Sequence, residues 1–153
     1  MNIIETVVNT EDISLVTLNN IPSDISFISD IFSQVADKNI NVDIISQSAP
    51  MGDLCNLSFT LPDKDLKKVF DIIKNIRTNN PDIKSIISSS NCKITVYGEK
   101  MRTEAGIAAK VFKIAADLMA DVCIINTSET DISILVSNID AENIVQKIKE
   151  MNL

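Results

Sequence analysis

Two hydrophobic rhythms alternate along this chain. Ile13–Leu18 (ISLVTL) is a short β-branched run and reads as a strand. Pro22 breaks it, and Ser23 or Asp24 can cap the helix that follows. Phe27, Ile28, Ile31, Phe32, Val35 and Ala36 recur at helical spacing and predict a helix over 25–38, ended by Asn39. The stretch Asn39–Ser48 (NINVDIISQS) then carries the second strand, Asn41–Ser48, read as buried and ending in small polar residues. Ala49–Asp53 is a loop. Leu57, Phe59 and Leu61 alternate with Ser58 and Thr60 in a third strand. Pro62-Asp63 opens a second helix to about Arg77, with Leu66, Val69, Phe70, Ile73 and Ile76 inward. Ile83–Ser89 closes the set as a fourth strand, and Ser88–Asn91 is the expected boundary. The order is βαββαβ.

The order then restarts. Cys92–Tyr97 is a strand, Gly98–Glu104 a loop, Ala105–Met119 a helix, Asp121–Thr127 and Ile132–Val136 strands, and Asp140–Met151 a helix with Ile144, Val145, Ile148 and Met151 inward. At one constant spacing Val16 meets Val96, Ser26 meets Gly106, Ile31 meets Val111, Phe32 meets Phe112 and Ser48 meets Ser128. After a shorter loop, Ser58 meets Ser133 and Asp65 meets Asp140. Ala120–Ser128 (ADVCIINTS) thus echoes Asn39–Ser48. The second copy lacks a fourth strand, while Ile3–Val8 (IIETVV) is a spare one in front of the first. The spare strand is expected to complete the second sheet, so that the first unit is inserted into the second. The predicted class is α+β, with antiparallel four-stranded sheets carrying their helices on one face. The open faces call for pairing of units, within or between chains.

Composition narrows the function. The chain has 153 residues, 45% of them hydrophobic, but only 4% aromatic, so its core is aliphatic. A net charge of −7 argues against a nucleic-acid surface and, with one Tyr and no Trp, against an RNA-binding sheet of the same topology. No apolar run suits a membrane span, no signal pattern opens the chain, and the acidic balance suits the cytoplasm. Cys55, Cys92 and Cys123 are widely spaced and read as buried, reduced thiols; no metal site is expected. Without His there is no Ser-His or Cys-His nucleophile, and no Gly-rich phosphate loop is present. The chain by itself is expected to be non-catalytic.

Binding is the better prospect. In a βαββαβ unit the loop before the first helix lies beside the polar end of the middle strand. That joins Ser23–Phe27 to Asp43, Ser46, Gln47 and Ser48 in the first unit. In the second it joins Met101–Ile107 to Asn126–Glu129. Free N–H groups at a helix start attract a carboxylate, and nearby Asp or Glu can hold an ammonium, which suits a zwitterionic amino acid. The competing reading is that these polar residues only cap strands and turns.

At this point a resemblance enters. Ile31-Phe32, Ile40–Gln47 and Leu57–Thr60 in the first unit are similar to the regulatory region of aspartokinases. So are Val96–Gly98, Met101-Arg102, Gly106–Phe112, Thr127–Glu129 and Ile132–Ile134 in the second. The resemblance implies two ferredoxin-like ACT domains, one over 13–90 and one over 1–9 plus 91–153. It implies feedback inhibition by lysine or threonine in aspartate-family amino-acid biosynthesis. It also implies pairing of ACT units in a homodimer and association with a kinase domain, which is not in this chain and to which ATP and Mg would belong. By position, the resemblance places Ser23, Asp24, Ser26, Phe27, Ile28 and Gln47 at an effector site in the first unit. It places Asp121, Val122 and Ser128 on the effector-facing strand of the second, and Asp43, Thr127 and Glu129 join the two candidate sites from the strand ends described above. The family often has Pro-Gly where this chain has Ile25-Ser26, which narrows the approach to that helix start. An ACT-type oligomerisation module without effector binding is the alternative.

Overall fold

The computed structural model describes residues 2–153; Met1, included in the expected second domain, lies outside them. The chain divides into two compact units, Ile13–Ser89 and a host formed by residues 2–12 with Ser90–Leu153. Two long strands run through the division: β1 (Thr6–Pro22) and β4 (Lys84–Tyr97). Each therefore contributes one part to each unit. The sequence reading split both: Ile3–Val8 from Ile13–Leu18, and Ile83–Ser89 from Cys92–Tyr97. Polar residues at 9–12 and 88–91 lower the apolar signal, yet extended backbone passes through them. Asp12 and Ser90 absorb the irregularity at φ 58° each.

In the inserted unit the strand order is β2-β3-β1-β4, with β2 spanning Ile45–Gln47 and β3 spanning Leu54–Pro62. β3 pairs antiparallel with both β1 and β2. Val16 and Leu18 from β1 and Leu57, Phe59 and Leu61 from β3 point to one face. They meet Ile28, Ile31 and Val35 of α1 (Ile25–Asp37) and Val69, Ile72, Ile73 and Ile76 of α2 (Leu66–Asn79). Phe32 packs edge-on to Phe59, with ring centroids 5.5 Å apart. Burying one such aliphatic side chain stabilises by roughly 1.5–3 kcal/mol, so the aliphatic composition suffices for a core.

The host unit repeats this plan with the order β1-β4-β6-β5, where β5 is Val122–Thr127 and β6 is Asp131–Ser137. Cys92, Ile94 and Val96 of β4 and Ile132, Ile134 and Val136 of β6 form the inner face. Against them lie Ile107 and Val111 of α3 (Ile107–Asp117) and Ala141, Ile144 and Ile148 of α4 (Asn138–Glu150). The spare N-terminal strand completes this sheet beside β4. The fold is thus α+β, two ferredoxin-like units with one inserted in the other.

Helix ends repeat as well. Asn39 (φ 54°) and Met119 (φ 52°) each terminate the first helix of a unit in the left-handed conformation. In each, paired bonds return to the last turn: Asn39 N–H to Ala36 O and Ile40 N–H to Val35 O, then Met119 N–H to Ala116 O and Ala120 N–H to Ala115 O. The helix starts differ. α1 begins at Ile25, so Ser26, the counterpart of Gly106, lies inside its first turn.

Several expectations are corrected. Asn39–Ser48 and Asp121–Thr127 are not buried strands. β2 is a three-residue edge strand with all three residues exposed, and β5 is a mostly exposed edge. Ile40 and Ile44 are buried, but Ile44 gives its N–H to the Thr60 hydroxyl at 2.9 Å, which interrupts the ladder and shortens β2. In α2, which follows a 3-10 turn (Asp63–Asp65), Phe70 is 50% exposed and Ile72 is buried in its place, since the inner stripe is Val69, Ile72, Ile73 and Ile76. Ala36 is exposed and Met151 half-buried. Cys55 and Cys92 are buried as expected, but Cys123 lies exposed on the β5 edge.

Candidate functional site

Gly98 sets the geometry of the host unit's open end. An added Cβ there would lie 1.8 Å from the carbonyl oxygen of Ile3, so only glycine lets the N-terminal segment pass. Its N–H bonds to Thr130 O at 2.9 Å, tying it to the β5–β6 hairpin. The chain then makes a 3-10 turn over Glu99–Arg102 and reaches α3 through Gly106. Gly106 occupies the N-cap at φ 87°, a conformation that strains residues with a Cβ. No side chain caps this helix start.

Facing it is a cleft of about 200 Å³. Met101, Glu104, Gly106, Ile107 and Ala108 form one wall, and Thr127, Ser128, Glu129 and Ile132 the other. The uncapped amides at the start of α3 give one side partial positive charge. Glu104 and Glu129 place carboxylates on the rim. Such an arrangement can take a carboxylate at the helix start and an ammonium at the rim.

Along that rim runs a chain of polar contacts. Tyr97 donates its hydroxyl to Glu99 Oε1 at 2.7 Å. Arg102 lies between two carboxylates, with Nε 3.4 Å from Glu99 Oε2 and Nη1 2.6 Å from Glu129 Oε2. The bond from Tyr97, and after it the Arg102 guanidinium, holds the Glu99 carboxyl below the usual glutamate range. The same bond to Glu99 pushes the Tyr97 phenol up. On the other side, Glu99 gives its backbone N–H to Glu5 Oε1 at 3.1 Å.

Of the residues nominated from sequence, Thr127, Ser128 and Glu129 are brought to this cleft. Ser128 is committed to its own turn: its hydroxyl accepts the N–H groups of Thr130 and Asp131, each at 3.2 Å, and donates to the Asp131 carboxylate. Ser48 plays a matching part, accepting Asn56 N–H at 2.9 Å. The repeated serines therefore hold hairpins. Asp121 and Val122 stand at the opposite end of β5; Asp121 is exposed and Val122 packs against the host core.

The inserted unit differs. Asp24 caps α1 by accepting Ser26 N–H at 2.9 Å, so one amide that could meet a ligand is already bonded. Ser23 gives its N–H to Asp53 O at 2.9 Å. Ser26 is exposed, Ile28 is buried in the core, and Phe27 lines a crevice between α1 and α2 with Gln34 and Asn75. Gln47 ends β2 opposite Leu57, while Asp43 precedes it beside Thr60, at the other end of the strand.

Sequence reasoning missed the Tyr97–Glu99–Arg102–Glu129 chain and its extension to Glu5. The Glu99/Arg102 spacing was a usable signal, since residues three apart on a helical turn are neighbours. Nothing local pointed to Glu5. Among the described residues, no group of three or more His, Cys, Asp or Glu is placed to hold a metal ion. Among them, no helix is long and apolar enough to cross a membrane.

Comparison with known proteins follows the same lines. A family model described as an ACT domain matches residues 94–151. The aspartokinase of Bacillus sp. (strain MGA3) is 33% identical over 127 residues, covering 82% of this chain and 31% of that protein. The chain spans about a third of the length of the curated relatives it matches. In fold, it is similar to the ligand-free regulatory subunit of aspartate kinase from Thermus thermophilus, with a TM-score of 0.83, 21% identity and 97% of each chain covered. It is also similar to E. coli aspartokinase III in complex with lysine and aspartate (T-state). That match has a TM-score of 0.73 and 18% identity and covers 99% of this chain and 34% of that one.

Proposed function

Because this chain is an ACT regulatory region of the aspartokinase kind, we propose that it binds a free amino acid and thereby controls the phosphorylation of aspartate by a kinase domain. Lysine is the favoured effector and threonine the second. The observation that carries this reading is the host-unit cleft, where the uncapped start of α3 faces Glu129 across the rim from Glu104. A lysine placed there sets its carboxylate on the amides of Ile107 and Ala108 and an ammonium on the rim carboxylates. E. coli aspartokinase III, similar in fold, is known in complex with lysine and aspartate, which makes lysine the first amino acid to test. Pairing of ACT units between two copies, association with the kinase domain and a cytoplasmic setting belong to the same proposal.

A second reading, an oligomerisation module without effector binding, is favoured for the inserted unit alone. There Asp24 already occupies the helix start and Ser26 stands where the host has Gly106. The two units then divide the work, with one sensing and the other holding the assembly.

Titration calorimetry of the chain with lysine and with threonine tests the proposal. Binding of either is expected. Glu129→Gln removes a charged partner of the ammonium, worth roughly 1.5–3 kcal/mol, and is expected to weaken binding about tenfold or more. Absence of heat with both amino acids at millimolar concentration refutes sensing by this chain.

A further inference from the structure

One turn touches both the cleft and the N-terminal segment. The 3-10 turn Glu99–Arg102 is closed by Met101 N–H to Gly98 O and Thr103 N–H to Lys100 O, each at 3.0 Å, so its two ends move together. Its last residue, Arg102, grips Glu129 on the cleft rim. Its first residue, Glu99, grips the Glu5 carboxylate through its backbone N–H. Glu5 lies in a segment held by two more bonds, Glu5 N–H to Tyr97 O at 2.8 Å and Ile4 N–H to Leu153 O at 2.9 Å. The same segment passes against Gly98 with no room for a side chain.

We propose that Glu5, Glu99 and Arg102 are positioning residues of a relay through which the cleft's occupancy sets how firmly the N-terminal segment is docked. This rests on reading the cleft as an amino-acid site. A ligand ammonium competes with Arg102 for Glu129. Arg102 then loses the contact that fixes the far end of the turn, and the turn's grip on Glu5 loosens. The relay uses exposed ion pairs, so each link is weak and easily shifted, as a reversible signal requires.

Amide hydrogen exchange of the full chain tests this, with and without lysine. In the ligand-free protein, Glu129→Gln and Arg102→Ala are each expected to raise exchange at Ile4 and Glu5 about two- to fivefold, the range set by an exposed ion pair. Amides of α4 near Ile144 should not change. The double variant should exceed neither single one, and Arg102→Lys should restore part of the protection. Added lysine should raise exchange at the same amides in the wild type and have no effect there in Arg102→Ala. Unchanged exchange in both single variants, or additive effects in the double one, overturns the relay. The ligand-free arm does not depend on the effector. Calorimetry without heat therefore removes the amino-acid site, whereas heat without a change at Ile4 and Glu5 removes the relay.

Discussion

Replacing Gly98 by Ala is the most direct probe of how the N-terminal strand is held. The backbone there is extended, with φ −174°, so alanine brings no conformational penalty of its own. The conflict is steric. The new methyl would lie 1.8 Å from Ile3 O, 2.9 Å from Ile3 C and 3.3 Å from Ile4 Cα, all backbone atoms that no rotamer change can move aside. Relief requires the segment to lift. That breaks the Ile4–Leu153 and Glu5–Tyr97 hydrogen bonds, at about 1 kcal/mol each. Ile3 and Ile4, half-buried against the host core, lose on the order of 1 kcal/mol each if they leave it. The local cost is therefore about 2–4 kcal/mol, which corresponds to roughly thirtyfold or more in exchange at Ile4 and Glu5. Gly52→Ala is the control. Gly52 sits at φ 63° with open space around it, so alanine there costs about 1–2 kcal/mol through the backbone alone and leaves the N-terminal amides untouched. If Gly98→Ala keeps wild-type protection at Ile4 and Glu5, the steric argument fails.

Three further outcomes follow from the same geometry. The Tyr97–Glu99 bond contributes stability above the ordinary glutamate value of 4.5 that is lost as pH falls through the lowered Glu99 pKa; on the alkaline side it is complete below 10.0 and lost as pH rises through the raised Tyr97 pKa. A pH series of exchange at Glu99 and Glu5 in wild type and Tyr97→Phe should differ only inside that window. Met119→Gly should stabilise the host unit by about 0.5–1 kcal/mol in denaturant titration, because Met119 holds φ 52° and is 89% exposed. Ile72→Ala should destabilise by about 2–5 kcal/mol while Phe70→Ala changes little, since Ile72 is 2% and Phe70 50% exposed; equal effects would place the wrong face of α2 inward.

The aliphatic rhythm alone was enough for much of the architecture. Period-3.6 stripes such as Ile28-Ile31-Val35 and Ile144-Ile148, and period-2 runs such as Leu57-Phe59-Leu61, report burial directly because each residue's face follows from its position in its own element. The internal repeat then supplied the order of elements, and Asn39 was legible as a helix end; that Met119 matches it became visible only in the backbone. Part of the candidate cleft's lining could be read for the same reason. Thr127–Glu129 end a strand whose unit places that end beside the first helix, and the structure puts them at the start of α3.

What sequence could not supply depended on distant partners. Asn41–Ser48 carries Val42, Ile44 and Ile45, yet only tertiary pairing makes it an edge that Thr60 interrupts. The exchange of Phe70 for Ile72 was set by which stripe of α2 meets the sheet, since both residues are apolar and only packing selects between them. Ser128 carried the right chemistry for a ligand, but its hydroxyl is used up by Thr130 and Asp131. Glu5 reaches Glu99 across a sequence separation of 94 residues. Local patterning sets which face of an element is apolar; which polar group remains available, and to whom, is decided by neighbours that only folding brings within a hydrogen bond's reach.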